Sequence, residues 1–274
     1  MIAFAGNSIL CRLALAHDTI DPASFTVIRL VAGAVTLIVI LAARTNVNAV
    51  RRSGSWRSAI TLFIYAIAFS LAYVQLDTAA GALILFGTAQ ATMISAALLS
   101  GERPIGSEYL GWIAAVGGFI WLLLPGATTP PLSGALLMTV AGVGWGLYSL
   151  YGRDEPAPLA GTAGNFLRVM LPTALLALVA LSSIDISSRG ALLAALSGSI
   201  TTGVGYVIWY AALPKLSSLQ AALVQLSVPA IAALGGVLVV TEALSARIVV
   251  AGLLITGGIC IAIAGRYRHT KQGI

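Results

Sequence analysis

Charge is what this sequence has least of. Only 9% of its 274 residues are Asp, Glu, Lys or Arg, against roughly a quarter in an ordinary water-soluble domain. Hydrophobic residues make up 59%, and the mean hydropathy is +0.98. A soluble fold cannot hide that much apolar surface, so the solvent for most of the chain is lipid. No water-soluble domain remains once the apolar runs are set aside. Acidic residues are missing from the middle of every apolar run. That removes the intramembrane carboxylate relay common in proton-coupled pumps and any acidic cluster for a divalent metal. Histidine occurs only as His17 and His269, near the chain ends, which argues against a Ser–His pair. There is no HExxH or CxxC. A membrane enzyme therefore has little chemistry to work with, and neither a metal nor a cofactor is expected. The two cysteines, Cys11 and Cys260, stand singly in apolar runs and read as buried thiols. The first run carries Arg12 and leads into another, which argues against a cleaved signal peptide.

What is present is a succession of apolar runs. A membrane helix needs roughly 17 to 25 mostly apolar residues, and ten candidates are found, at about 2–16, 24–43, 58–76, 79–99, 109–125, 132–151, 162–182, 190–212, 218–240 and 247–265. The ten-residue alternation of a transmembrane barrel is absent. The expected fold is an all-α integral membrane bundle of ten helices. Lysine and arginine in the loops set its direction. Arg44, Arg51, Arg52, Arg57, Arg103, Arg153 and Lys215 share one side with the tail residues Arg266, Arg268 and Lys271. Both termini are then cytoplasmic. The net charge of +6 becomes a topology signal rather than a nucleic-acid footprint.

Shifted by about 140 residues, the sequence begins to match itself. "FTVIRLV" falls on "GNFLRVM", so Arg29 meets Arg168; "SILCR" falls on "SLYGR"; "ALLSGERP" falls on "VLVVTEAL", so Glu102 meets Glu242; "AAVGGFI" falls on "LITGGIC". Each copy holds five spans, residues 1–130 and 131–274. An odd number makes the second copy enter the membrane from the opposite side. Two inverted five-helix repeats around a central cavity are the recurring plan of secondary transporters, with the substrate between the halves. One mismatch remains: the first span is short for a bilayer and lacks roughly the first eight residues equivalent to span 6, as if the chain began late or the helix were truncated.

Arg29 and Arg168 are expected one to two turns from opposite surfaces, where they can snorkel beside Asp18 and Asp21, or Asp154 and Glu155. With Glu102 and Glu242, which close their helices, they read as structural anchors, a gating role being the other reading for the arginines. Substrate-binding candidates come from stripes at helical spacing. Span 3 places Tyr65, Phe69 and Tyr73 on one face, and span 8 places Thr202, Tyr206 and Trp209. Span 4 carries Thr88, Thr92 and Ser95. Asn7 and Ser8 come from span 1, Trp145, Tyr148 and Ser149 from span 6, and Gln225 from span 9. Polar groups in lipid need partners, so these stripes should face protein or a cavity. Rings and hydroxyls together suit an amphipathic small molecule. The competing readings are the aromatic belt for Tyr73, Trp209 and Tyr210 and simple helix packing for Tyr65, Thr202 and Gln225. Pro229 interrupts span 9 and is either a hinge or a static kink. Ala114, Gly118, Gly258 and Ala262 have the small-xxx-small spacing of close helix contacts.

On "GNSILCR", "DPASFTVIRLVAGAVTL" and "AALLSGERPIGSEYLGWIAAVGGFI", with "WGLYSLYGR" and "IWYAALPKLSSLQAALVQLSVPAIAALGGVLVVTEALS" in the second copy, the chain resembles the drug/metabolite transporter superfamily in its ten-helix EamA-type form. It looks most like the bacterial exporters of aromatic and other neutral amino acids (the YddG type). The resemblance implies efflux across the bacterial inner membrane, with helices 1, 3, 4, 6, 8 and 9 around the cavity. The four-helix multidrug relatives rely on an intramembrane glutamate that this chain lacks, so facilitated export is expected ahead of proton antiport. The expected partners are a small-molecule substrate, an amino acid first of all, and the lipid bilayer. No nucleic acid is expected, and a monomer is favoured. Other metabolites, drugs or lipid-linked substrates remain the alternative cargo.

Overall fold

The computed structural model describes residues 1–44, 53–101, 106–126, 128–153, 155–212 and 224–272. They form ten helical rods. In chain order these are α1 (Ile2–Leu15), α2 (Pro22–Arg44), α3 (Trp56–Tyr73), α4 (Thr78–Leu99) and α5 (Gly106–Leu123). The second half holds α6 (Leu132–Arg153) and α7 (Pro158–Val179, prolonged by a tight turn over Ala180–Ser183). Next come α8 (Ser188–Leu196, wider π turns over Ser197–Val204, then Gly205–Ala212), α9 (Ser227–Gly235, ending in π turns over Gly236–Val240) and α10 (Ala246–Gln272). Seven of them are long and apolar enough to cross a membrane, while Ile2–Leu15, Tyr109–Leu123 and Ser227–Val240 are shorter apolar helices. At about 1.5 Å per residue, the 14 residues of α1 fall short of a hydrocarbon core roughly 30 Å thick. No strand is formed among the described residues beyond one isolated bridge between Ile20 and Ile186.

Local chemistry sets several helix starts. Asp21 caps α2 by accepting from Ser24 N at 2.8 Å. Ser55 caps α3 through Ser58 N at 3.1 Å, and Ser187 caps α8 through Gly190 N at 3.0 Å. Each satisfies a backbone donor that the helix itself leaves free. The bundle is sorted for lipid. Leu99, Val179, Leu238, Leu253 and Ile113 are exposed, whereas the interior holds alanines, rings and the polar residues Asn7, Arg29, Ser70, Gln90, Ser197 and Thr202. Outward aliphatic side chains cost nothing in hydrocarbon, and most inward polar ones bond one another, with exceptions such as Gln90 Nε2.

The helices pair in a pattern that repeats with the halves exchanged. α6 packs on α3 and α4, and α1 packs on α8 and α9. α2 meets α7, α4 meets α9, and α5 meets α10. The last contact is glycine-mediated. A Cβ on Gly111 would stand 2.3 Å from Gly258 O, and one on Gly258 would stand 2.4 Å from Gly111 O. Ala114 and Ala262 lie beside the same contact, as the small-residue spacing anticipates. α2 and α8 approach as closely, since a Cβ on Gly198 would lie 2.2 Å from Arg29 O.

The end of the bundle opposite the N-terminus is fastened. Arg12, at the end of α1, reaches Glu242 just beyond α9, Asp77 before α4 and the backbone carbonyls of Tyr73 and Val74 at the end of α3. Nearby, the α1–α2 loop pairs with the α7–α8 loop, Asp21 N donating to Asp185 O and Ser187 N to Thr19 O, both at 2.9 Å. At the N-terminal end, Ser55 N donates to Asn165 Oδ1 and Arg168 Nη1 to Ser53 O, both at 2.8 Å.

Candidate functional site

Side chains from five helices converge midway along the bundle around a small gap. It is lined by Phe4 and Asn7 of α1, Tyr65 and Phe69 of α3, Leu85 and Phe86 of α4, Trp145 of α6, and Thr201 and Tyr206 of α8. The gap has room for about one water molecule. The expectation of a ring-lined cavity is therefore met by a ring-filled centre. Trp145 stands at its hub, with ring centroids 5.3 Å from Tyr65, 5.4 Å from Tyr206, 5.6 Å from Phe4 and 5.8 Å from Tyr148. The rings continue through Phe69 to Tyr73 toward one end and through Tyr206 to Tyr210 toward the other. Edge and tilted contacts of this kind are the favoured aromatic geometries.

Asn7 is the polar junction. Its Nδ2 donates to Tyr65 Oη at 3.1 Å, while its Oδ1 accepts from Ser197 Oγ at 2.6 Å and Thr201 Oγ1 at 3.4 Å. α1, α3 and α8 are thus tied at one point. The π turns of α8 bring Ser197, Thr201 and Thr202 together on this side, and such bulges are frequent at functional sites.

Arg29 overturns an expectation. It does not snorkel, and neither Asp18 nor Asp21 pairs with it. It is only 1% exposed. Its Nη2 donates to Tyr65 Oη at 2.9 Å and its Nε to Thr202 Oγ1 at 3.4 Å. The guanidinium carbon lies 5.1 Å from the centre of the Tyr65 ring and 4.9 Å from that of Phe69. Asp21 is occupied elsewhere, accepting from Ser24 N and Asp185 N. The close α2–α8 crossing turns Arg29 inward before it can reach a surface. Arg168, its partner in the repeat, is half-buried near the N-terminal end and donates to the carbonyls of Ser53 and Gly164. The repeat conserves the residue type and divides the environments. Glu242 holds Arg12, and Glu102 lies outside the described residues.

The other candidates separate into groups. Tyr65, Phe69, Trp145, Tyr148, Tyr206, Trp209 and Thr202 are buried with the ring cluster or beside it, and Tyr73 is wholly buried rather than at a lipid interface. Ser8 and Gln225 are buried, the Ser8 Oγ and Gln225 Oε1 without a partner among the described residues. Thr88 and Thr92 are not brought to the gap. They press against Gly142 and Gly146 of α6, where a Cβ would stand 2.7 and 2.8 Å from their own Cβ atoms. Ser95 is exposed. Ser149 is half-buried and turns back to Trp145 O. The helical path is interrupted at Leu226, just before Pro229. Leu226 forms a turn and α9 starts at Ser227, which places Pro229 in the first helical turn. Its missing N–H is the one that would have bonded Gln225 O, so the break falls where the proline removes the bond. The sequence reading missed Phe4, Leu85, Phe86, Ser197, Thr201 and Arg12. Phe4 sits one turn before Asn7, so its face was recoverable, whereas the partner of Arg12 lies 230 positions away.

Comparison with known proteins agrees with this architecture. A protein of Pseudomonas aeruginosa, the uncharacterized protein PA1977, is 51% identical over all 274 residues and 95% of its own length. A solved crystal structure that is 22% identical covers 95% of both chains with a TM-score of 0.65, a likeness of fold. The model of the EamA-like transporter family matches residues 132–264, from the start of α6 to well into α10. Ten apolar helices, a polar and aromatic centre and these likenesses together place the chain in the EamA-like transporter family of multi-pass membrane proteins.

Proposed function

We propose that this transporter exports small amphipathic metabolites, aromatic and other neutral amino acids first, across a bacterial inner membrane by alternating access. The observation that carries the reading is the convergence of Asn7, Tyr65, Trp145 and Tyr206, contributed by both halves of the chain, on one mid-bundle gap. Rings can hold an apolar side chain while amide and hydroxyl groups bond the polar end. The halves 1–130 and 131–274 are the units that rock against each other, with the break before Pro229 as one hinge. Both termini are cytoplasmic, which puts the Arg12–Glu242 fastening on the outside. The closed gap then belongs to an outward-shut state. Transport is facilitated, since the described membrane interior holds no carboxylate or histidine to carry a proton.

The test is uptake of radiolabelled phenylalanine and threonine into proteoliposomes, with and without an imposed pH gradient. Uptake without a gradient, competed by other neutral amino acids, is the expected result. Strict dependence on the gradient would overturn facilitated export. Uptake of neither compound by correctly folded protein would remove amino acids as the cargo.

A further inference from the structure

The centre of the bundle holds a charge that meets no counter-charge among the described residues. Arg29 is the largest of the fully buried side chains, and no Asp or Glu among the described residues forms an ion pair with it. Two of its nitrogens are met by hydroxyls and two rings lie against the guanidinium, but Nη1 has no partner among the described residues. Two further donors in the same cluster are unpartnered among the described residues, Trp145 Nε1 and Tyr206 Oη. A buried cation compensated only by neutral groups is costly, and an unmade buried hydrogen bond adds to the cost. A ligand that brings one negative charge and several lone pairs relieves both.

We propose that Arg29, with Trp145 Nε1 and Tyr206 Oη, forms the subsite for a carboxylate on the substrate, while the ring-lined gap takes its apolar body. This rests on the transport reading of the same site and names the substrate class. The planar guanidinium fork matches a carboxylate. Arg29 touches the gap-lining rings of Tyr65 and Phe69 without itself lining the gap, and one guanidinium, with no cation among the gap-lining residues themselves, suits a monoanion rather than a phosphate dianion. The same charge repels an organic amine that lacks a carboxylate, because the gap offers no acidic side chain to receive an ammonium. The site thus selects by the sign of the charge as well as by the apolar body.

The experiment compares 3-phenylpropionate with phenethylamine, two compounds of nearly equal apolar size and opposite charge, in two ways. Each is titrated calorimetrically into the purified full chain, and each is tested as a competitor of phenylalanine uptake. 3-Phenylpropionate is expected to bind and compete, and phenethylamine to do neither at the same concentration. Arg29→Gln should weaken 3-phenylpropionate binding by roughly ten- to a hundredfold, with partial recovery in Arg29→Lys. Equal binding of the two compounds, binding of neither, or an unchanged affinity in folded Arg29→Gln overturns the proposal. If Arg29→Gln does not fold, the ratio of the two affinities in the wild-type protein decides. Binding of 3-phenylpropionate without any amino-acid uptake would sink the amino-acid export reading and keep the subsite. Uptake that phenethylamine inhibits equally well would do the reverse.

Discussion

Arg12 Nε donates to Glu242 Oε1 at 2.8 Å, joining the end of the first helix to the residue that follows the ninth. Both side chains are largely shielded, at 16% and 13% exposure. The second oxygen of Glu242 accepts from Thr78 N, also at 2.8 Å. The chain reaches this geometry through Thr241, whose left-handed backbone (φ 62) turns Glu242 back toward α9. A β-branched residue held in that region stores strain of order 1–3 kcal/mol, of a kind that clusters at switches and clamps. One carboxylate thus ties α1, α4 and α9 at a single end.

Releasing this tie should open that end. Cys11, adjacent to Arg12, is wholly buried. In a Cys260→Ala background, Glu242→Gln should raise the rate at which a membrane-impermeant maleimide labels Cys11 by roughly ten- to a hundredfold, the value of one charged hydrogen bond. An unchanged labelling rate would show that the loop pairing at Ile20 and Ile186 holds the end shut by itself.

Asn7 satisfies Tyr65, Ser197 and Thr201 at once. Tyr65 keeps its bond from Arg29 and Thr201 its bond to Ser197 O, so Asn7→Ala chiefly leaves the buried Ser197 hydroxyl without its partner, at about 1–3 kcal/mol. The melting temperature in detergent should fall and amino-acid uptake should be lost. Asn7→Asp tests the same junction differently, because it also brings a negative charge near Arg29, which meets none among the described residues. It should keep the fold and abolish binding of 3-phenylpropionate.

The α2–α8 crossing tolerates no side chain at Gly198, where a Cβ would meet Arg29 O at 2.2 Å. Gly198→Ala should lower the yield of monodisperse protein severely. Gly117→Ala is the control, since a Cβ there meets nothing within 4 Å, and its yield should match the wild type.

Two carboxylates at the fastened end should respond to pH in opposite directions. Burial, and then the charge of Glu242, raise the Asp77 carboxyl, with Arg12 opposing. A raised acid holds its proton more tightly folded than unfolded, so stability falls as pH rises from the unfolded value of about 3.9 through the folded one. Asp77→Asn should therefore melt no lower than the wild type at pH 7, and the difference should close toward pH 3. For Asp21, burial acts upward, but hydrogen bonds from Ser24, Asp185 and Ala23 prevail and lower it. Its contribution is complete above about pH 3.9 and is lost as pH falls through the folded value. Asp21→Ala should cost about 1 kcal/mol at pH 7, the worth of a helix cap, and less on acidification. Thermal melts between pH 3 and pH 7 check both signs.

The ten helices were legible because lipid imposes a local rule. Every spanning segment must be apolar and close its own backbone hydrogen bonds, so hydropathy alone delimits α2, α3, α4 and α6 to within a few residues. The start of α9 was not, because the break at Leu226 depends on one lost bond inside an unbroken apolar run. Span spacing also brought Asn7, Tyr65, Trp145 and Tyr206 forward, since a polar or aromatic stripe in hydrocarbon has to face protein. Thr88 and Thr92 obey the same rule and met it by packing on glycines, an outcome that spacing cannot distinguish from lining a cavity.

Arg29 marks the boundary between the two kinds of information. Its sequence context, an arginine five residues into an apolar run with aspartates upstream, is that of a surface anchor. Whether such a side chain runs out along its helix or turns inward depends on what crosses that helix, and here α8 crosses it through Gly198, close enough to leave Arg29 among Tyr65, Phe69 and Thr202. The same holds for Arg12 and Glu242, whose meeting no window of sequence contains. Composition and periodicity determined by themselves that this chain is a bundle of ten membrane helices, because the solvent acts on each segment separately. Only the tertiary structure decided which charges meet a partner and that Arg29 meets no counter-charge among the described residues, because that depends on contacts between segments far apart in the chain.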